Sequence, residues 1–274
     1  MPAPNLRLSR TPEALSSGCF ETLRAYEGRL FRLESHLERL AASAQSLGLR
    51  LPSTRRRLGQ RLTAALQRAK VREAVVRVAL IPSPRGRRIV RASIVVQPVV
   101  LPPASAYREG IAIVVVPTRK FPVGVINPQV KYSARLGSVM ALAEAQLRCV
   151  EEALFLDPTG SVTESTASNF GILRRGALLT PPCWLGLLAG ITRDVLMELA
   201  QALRWPVRDI PLTRHELYNA DEAFLLSTIK EVLPVTRIDG RLIGTGHPGP
   251  LTLRLRRAFQ ALVRRELGLS RPAR

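Results

Sequence analysis

Apolar and polar residues alternate with period two over residues 19–26 (CFETLRAY), the mark of a strand, and Tyr26-Glu27-Gly28 predicts a hairpin returning over 29–33. Ahead of it, Thr11-Pro12-Glu13 predicts a short helix start. The period then becomes helical: Leu33, Leu37, Leu40, Ala41, Ala44 and Leu47 share one face, and Gly48 ends the run. Pro52-Ser53 opens a second amphipathic helix, with Leu58, Leu62, Leu66 and Ala69 inward and arginines outward. Three β-type runs, 74–81, 89–97 and 111–117, complete an α+β unit with a mostly antiparallel sheet. Past a Pro-punctuated stretch the pattern predicts a helix over 133–150, strands over 153–157 and 162–173, and a hairpin through Arg174-Arg175-Gly176. A helix over 192–203, strands over 222–227 and 232–238, and a closing helix over 251–267 follow. The implied division is an N-terminal domain over 1–118, an interdomain loop over 119–128 and a C-terminal domain over 129–274.

A length of 274 residues suits this division, each part being large enough for its own core. The start, MPAPNLRLSRTPEALSSG, is polar and turn-rich, and no apolar run approaches the roughly 20 residues of a membrane span. Cys19, Cys149 and Cys183 are widely spaced and odd in number, against a disulfide framework or a zinc site; a reducing cytoplasm is expected. The net charge of +20 is carried by dispersed arginine clusters with little aromatic interleaving. It reads as solvated surface rather than a nucleic-acid footprint, although it would still attract small anionic substrates.

Against this arginine background the only lysines are Lys70, Lys120, Lys131 and Lys230. Arginine stays protonated, whereas a shielded lysine amine can lose its proton and attack a carbonyl. Lys131 follows the loop FPVGVINPQV and leads into the predicted helix, a good place to present a reactive amine. A bound aldehyde cofactor with a phosphate tail needs such an amine, an anion site and a carboxylate for its ring nitrogen. Gly190-Ile191-Thr192-Arg193 opens a helix, whose first N–H groups bind anions, though Asp194 there is equally an ordinary helix-capping residue. Glu164, within SVTESTASNF, is either that carboxylate or a strand-edge surface glutamate. Arg39, one turn past His36, is by itself a surface arginine as readily as a phosphate ligand.

Taken together, these segments resemble the fold-type IV pyridoxal-phosphate enzymes: branched-chain and D-amino-acid aminotransferases, R-selective amine transaminases and aminodeoxychorismate lyases. The resemblance runs, in order, through GCFETLRAYEGRLFRLESHLERLAASAQSLGL, VKYSARL, ALFLDPTGSVTESTASNFGIL, LLAGITRDVLMELA, ADEAFLLSTIKEVLPVTRIDG and GTGHPGPLT. It implies a two-domain α+β / α/β fold, each domain a sheet or barrel core flanked by helices, and a homodimer using pyridoxal 5'-phosphate. Pro102-Pro103 to Gly110 would be a loop reaching across to the partner. The resemblance makes Lys131 the Schiff-base lysine and proton shuttle and sets Glu164 against the pyridinium nitrogen. Arg39, the Ile191 and Thr192 N–H groups and the Thr228 hydroxyl would grip the phosphate. Arg135, Ser168, Asn169 and Ser227 would line the cofactor. Arg24 and Arg77 are candidates for a substrate carboxylate, with a cross-sheet salt bridge as the rival reading.

The departures bear on substrate. The tyrosines of branched-chain enzymes near Leu15 and Val75 are absent, and Arg135 stands where a tyrosine is usual, as in some lyases. Ser227-Thr228 and LSTIKEVLPV look transaminase-like. A carboxylate trap could be imitated by Arg85, Arg87 or Arg88. A transaminase is the first expectation; a lyase that expels pyruvate and a cofactor-free basic nucleic-acid-binding protein are the alternatives.

Overall fold

The computed structural model describes residues 18–83, 86–122, 124 and 127–270. The expected helix start at Thr11 and residues Leu15 and Arg85 lie outside them, as do the side chains of Arg87 and Arg88. Two sheets organise the chain. The smaller has the order β2-β1-β3-β4, all antiparallel, from β1 (Cys19–Tyr26), β2 (Arg29–Leu30), β3 (Ala74–Ser83) and β4 (Gly86–Pro98). Glu27 and Gly28 both take positive φ, giving the two-residue hairpin turn whose twist matches its strands. The return strand is only two residues long, because Leu33 already begins α1 (Leu33–Ser46). That helix and α2 (Arg55–Ala69) cover one face of the sheet. Leu37, Leu40, Leu58, Leu62 and Leu66 are buried there, each contributing about 1.5–3 kcal/mol. Ala69, expected inward, is exposed, since it sits in the last turn before the left-handed cap at Lys70.

The larger sheet comprises β5 (Ile111–Arg119), β6 (Glu152–Leu156), β7 (Val162–Ser165), β8 (Asn169–Arg174), β9 (Ala177–Thr180), β10 (Val207–Asp209), β11 (Glu222–Ser227), β12 (Glu231–Ile238) and β13 (Arg241–Leu242). Pairing of β7 with β8 closes the ring β8-β11-β12-β5-β6-β7, whose interior holds Ile113, Leu154, Phe170, Leu225 and Val235. The strand read over 111–117 therefore does not extend the first sheet. It pairs in parallel with β12 and β6, so the change of sheet falls between residues 98 and 111. The crossing segment carries α3 (Ala104–Arg108), whose Ala106 and Tyr107 are buried in the barrel core, so this stretch is not a free loop.

Four helices complete the larger unit: α4 (Leu136–Leu147), α5 (Ile191–Ala202), α6 (Arg214–Tyr218) and α7 (Pro250–Glu266). The run read as one strand over 162–173 is split by a turn at 166–168, where the Ser168 N–H donates to Ser165 Oγ. Phe31, beside the first hairpin, packs edge-on against Phe259 of α7 with ring centroids 5.8 Å apart, joining the two units. Among the described residues, no helix is long and apolar enough to cross a membrane.

Candidate active site

Strand β1 is shared by two environments. Its odd-numbered residues Cys19, Glu21, Leu23 and Ala25 face the helices, and Phe20 and Thr22 face a cavity of about 1150 Å³ between the small sheet and the barrel. The segment carrying Lys131 is bound to the edge of β1. The Phe20 N–H donates to the Lys131 carbonyl (3.0 Å), and the Ser133 N–H donates to the Gly18 carbonyl (2.9 Å). These bonds hold 131–133 extended, which is why α4 begins at Leu136 and not at Ser133 as its periodicity suggested. Lys131 thereby stands on strand-like backbone, with its Nζ 5.2 Å from the centre of the Phe20 ring.

Three of the four lysines line this cavity, and their surroundings differ. Lys120 Nζ donates to Glu164 Oε1 (2.5 Å), and Lys230 Nζ donates to Glu152 Oε2 (2.7 Å). Lys131 has no carboxylate partner among the described residues. Burial does most to lower its pKa; Arg39 and Arg135 add to that, Glu21 and Glu164 pull the other way, and the amine settles at about 8. That is well below the 10.5 of an ordinary lysine, so this amine gives up its proton more readily.

Glu164 stands at the end of β7 on the cavity wall, held at three points: Lys120 on Oε1, and on Oε2 the Asn169 amide (3.3 Å) and the Leu188 N–H (3.2 Å). Arg39 reaches the cavity from α1, with a guanidinium fixed from behind. Its Nε and Nη2 donate to the two oxygens of buried Glu21 (2.7 and 2.9 Å), and Nη1 donates to the Ala189 carbonyl (2.6 Å). Glu21 also accepts from His36 Nδ1 (2.8 Å). Burial raises the Glu21 pKa, but the Arg39 charge and the bonds from His36 and Arg39 overcome it and hold the carboxyl at about 2. Burial keeps His36 below its usual value, against the pull of Glu21.

Ile191 and Thr192 line the cavity at the start of α5, whose N-cap Gly190 offers no side chain. A Cβ at Gly190 would lie 1.8 Å from Asn169 Oδ1, so only glycine permits this approach. The first N–H groups of α5 are left for a ligand, and its dipole favours an anion. Arg193 turns away to Thr180, Pro181 and Asp209.

Ser168, Asn169, Ser227, Thr228 and Arg135 are also in the cavity wall. Ser168 Oγ is buried without a partner, and Arg135 donates to the Thr166 carbonyl. Arg24 does not line the cavity. Although on the same face of β1 as Phe20 and Thr22, its guanidinium is taken by Glu231 (2.7 Å) and the Ile229 carbonyl (3.2 Å), so the cross-sheet salt bridge is what forms. Arg77, opposite Thr22 on β3, stacks on the Phe20 ring at 4.1 Å, beside the cavity. Burial and the Arg135 charge depress its pKa.

Four groups were missed from sequence: Glu21, Lys120, Glu152 and Lys230. Their roles come from pairings across 18, 44 and 78 residues of chain, which periodicity does not register. The rarity of lysine was the one available signal for Lys120 and Lys230.

The site fits pyridoxal phosphate on its own features: an unpaired amine, a carboxylate beyond it, and an arginine with bare helix N–H groups converging where a phosphate would lie. Comparison agrees. The family described as Amino-transferase class IV matches residues 18–238. A protein of Methanocaldococcus jannaschii, provisionally named a branched-chain-amino-acid aminotransferase, is 37% identical over 89% of this chain and 86% of its own. The D-alanine aminotransferase of Bacillus licheniformis is 30% identical over 89% and 86%. Among solved structures, a T.th. branched-chain amino acid aminotransferase with pyridoxamine 5'-phosphate superposes with a TM-score of 0.89, at 28% identity, covering 98% of this chain and 92% of that one.

Proposed function

The chain belongs to the class IV aminotransferase family and has the architecture of the fold-type IV enzymes, and from that premise we propose how its own residues carry out amino-group transfer. Pyridoxal 5'-phosphate, when bound, supplies an aldehyde carbon for covalent capture of an amine and a ring that takes up the electrons left as the donor's Cα–H bond breaks. Arg39, the Ile191 and Thr192 N–H groups and the Thr228 hydroxyl would hold its phosphate. Glu164 would face its ring nitrogen and keep that nitrogen protonated.

Lys131 Nζ acts as general base, taking the donor's Cα proton and holding it for redelivery. An amine near pKa 8 suits that exchange, because both protonation states are populated at working pH. Arg77 and Arg135 place positive charge at the substrate side of the cavity, where a carboxylate of the amino acid or keto acid would settle. Two copies would assemble around the site. Val100, Phe121, Leu136 and Met140 form an exposed apolar collar at the cavity mouth, of the kind a partner covers. Free, widely spaced cysteines suit a cytoplasmic setting.

The observation that carries this reading is the contrast among the cavity lysines: two are paired to carboxylates and one is not. The test is a half-reaction: single amino acids, branched-chain ones first, added without an acceptor. Conversion of bound pyridoxal phosphate to pyridoxamine phosphate, abolished in Lys131→Ala, is expected. Conversion at the wild-type rate in that variant would refute the role of Lys131. The lyase reading is favoured only by Arg135. It would prevail if no amino acid converted the cofactor while aminodeoxychorismate yielded pyruvate.

A further inference from the structure

A second cavity, of about 770 Å³, opens on the other side of the end of β5. Pro117 faces it, Thr118 and Lys120 face the first cavity, and Arg119 at the strand's end borders both. Its floor is apolar, from Ile113, Val114, Val115 and Val150, with the ring of Tyr218 beside it. Its rim is arginine: Arg119, Arg148, Arg214, Arg237 and Arg241, all exposed. Five of thirteen lining residues are arginines, against 41 lysines and arginines among 274 residues of the chain, so the general basicity of the protein does not account for the density here.

The wall offsets only a small part of their charge. The one acid among its lining residues is Asp239, whose Oδ1 accepts from the Val115 N–H (2.7 Å) and Oδ2 from the Tyr218 hydroxyl (2.7 Å); its single negative charge leaves the five arginines well in excess. Among the described residues none of the five arginines pairs with a carboxylate. Arg119 and Arg237 donate to the backbone carbonyls of Val116 and Gly240, and Arg241 lies over the Tyr218 ring at 4.4 Å. Like charges gathered around one concavity repel and focus a positive potential, which an anion relieves. Guanidinium groups match phosphate by paired N–H bonds, and the apolar floor suits an organic body beside the charge. The volume lies within the roughly 300–1,000 Å³ usual for small-ligand sites.

We propose that this cleft is a binding site for a phosphorylated organic anion of the nucleoside-polyphosphate class, distinct from the cofactor cavity. The phosphates sit on the arginine rim and the organic body lies against the valine and Tyr218 floor.

The experiment is calorimetric titration of the holoenzyme, its cofactor site saturated with pyridoxal phosphate, with ATP, with inorganic triphosphate and with a short DNA duplex. The wild type is compared with the double variant Arg148→Glu/Arg214→Glu. Both side chains are exposed and hold no described hydrogen bond or ion pair, so folding and turnover should be unchanged. The site is supported if ATP binds saturably at one per chain, inorganic triphosphate binds at least several-fold more weakly, and the double variant loses tenfold or more of ATP affinity. No saturable ATP binding, or equal binding by the double variant, would overturn it. Triphosphate binding as tightly as ATP would show that the floor is unused and overturn the ligand class. Duplex binding tighter than ATP with the same dependence on Arg148 and Arg214 would replace the site with a nucleic-acid footprint.

Discussion

At the scale of single residues, the proposed chemistry rests on how the chain treats three lysines in one cavity. Lys120 and Lys230 are drawn into ion pairs with Glu164 and Glu152, while Lys131 is set over a phenylalanine ring, its pKa lowered by burial and further by the charges of Arg39 and Arg135. A neutral amine is the reactive form, and this one becomes neutral as pH rises through about 8, well below the 10.5 of an ordinary lysine. The rate at which cofactor-free protein captures pyridoxal phosphate should therefore climb through about pH 8 and level off above it. Stopped-flow absorbance from roughly pH 6.5 to pH 10 would record this, and a rate still climbing at the top of that range would remove the depressed amine from the account. That Lys131, Glu164 and Arg39 line one cavity was legible in the sequence because each sits in a motif with a fixed neighbourhood. Arg24 was not, because alternation gives the face of a strand but not how far a long side chain runs along it, and Arg24 runs to Glu231.

At the scale of elements, β1 and α1 form the joint that holds Arg39 at the cavity. Glu21, on the helix-facing side of β1, ties Arg39 and His36 of α1 to the sheet. Its folded pKa of about 2 lies below the ordinary 4.5, so it contributes stability above pH 4.5 that is lost as pH falls toward 2. The contribution is on the order of 3 kcal/mol. Denaturant unfolding of wild type and Glu21→Gln at about pH 6, 4 and 3 measures it. The gap should narrow with falling pH, and a constant gap would show that the Glu21 charge is not what secures the joint. Strands and long helices followed from periodicity. What did not follow were the late start of α4, fixed by pairing with β1, the short strands β10 and β13, which form by pairing with β9 and β12, and the five-residue helices α3 and α6. The residues of β5 read as a strand on their own, but the choice between sheets belongs to β6 and β12.

At the scale of the whole molecule, two units with separate cores meet along the cavity, and family order along the sequence conveyed that meeting better than composition did. The net charge of +20 said little about the reaction until the arginines were located. The apolar collar predicts a dimer: light scattering after size exclusion should give twice 30.2 kDa, and Leu136→Glu with Met140→Glu should yield monomers of reduced activity. Dimers of unchanged strength would place the interface elsewhere. The central claim remains that one lysine of three takes the cofactor. Borohydride fixation of the pyridoxal phosphate-loaded protein, followed by peptide mass spectrometry, tests it directly. The account predicts the phosphopyridoxyl mass on Lys131 alone; that mass on Lys120 or Lys230, with Lys131 unlabelled, would contradict it.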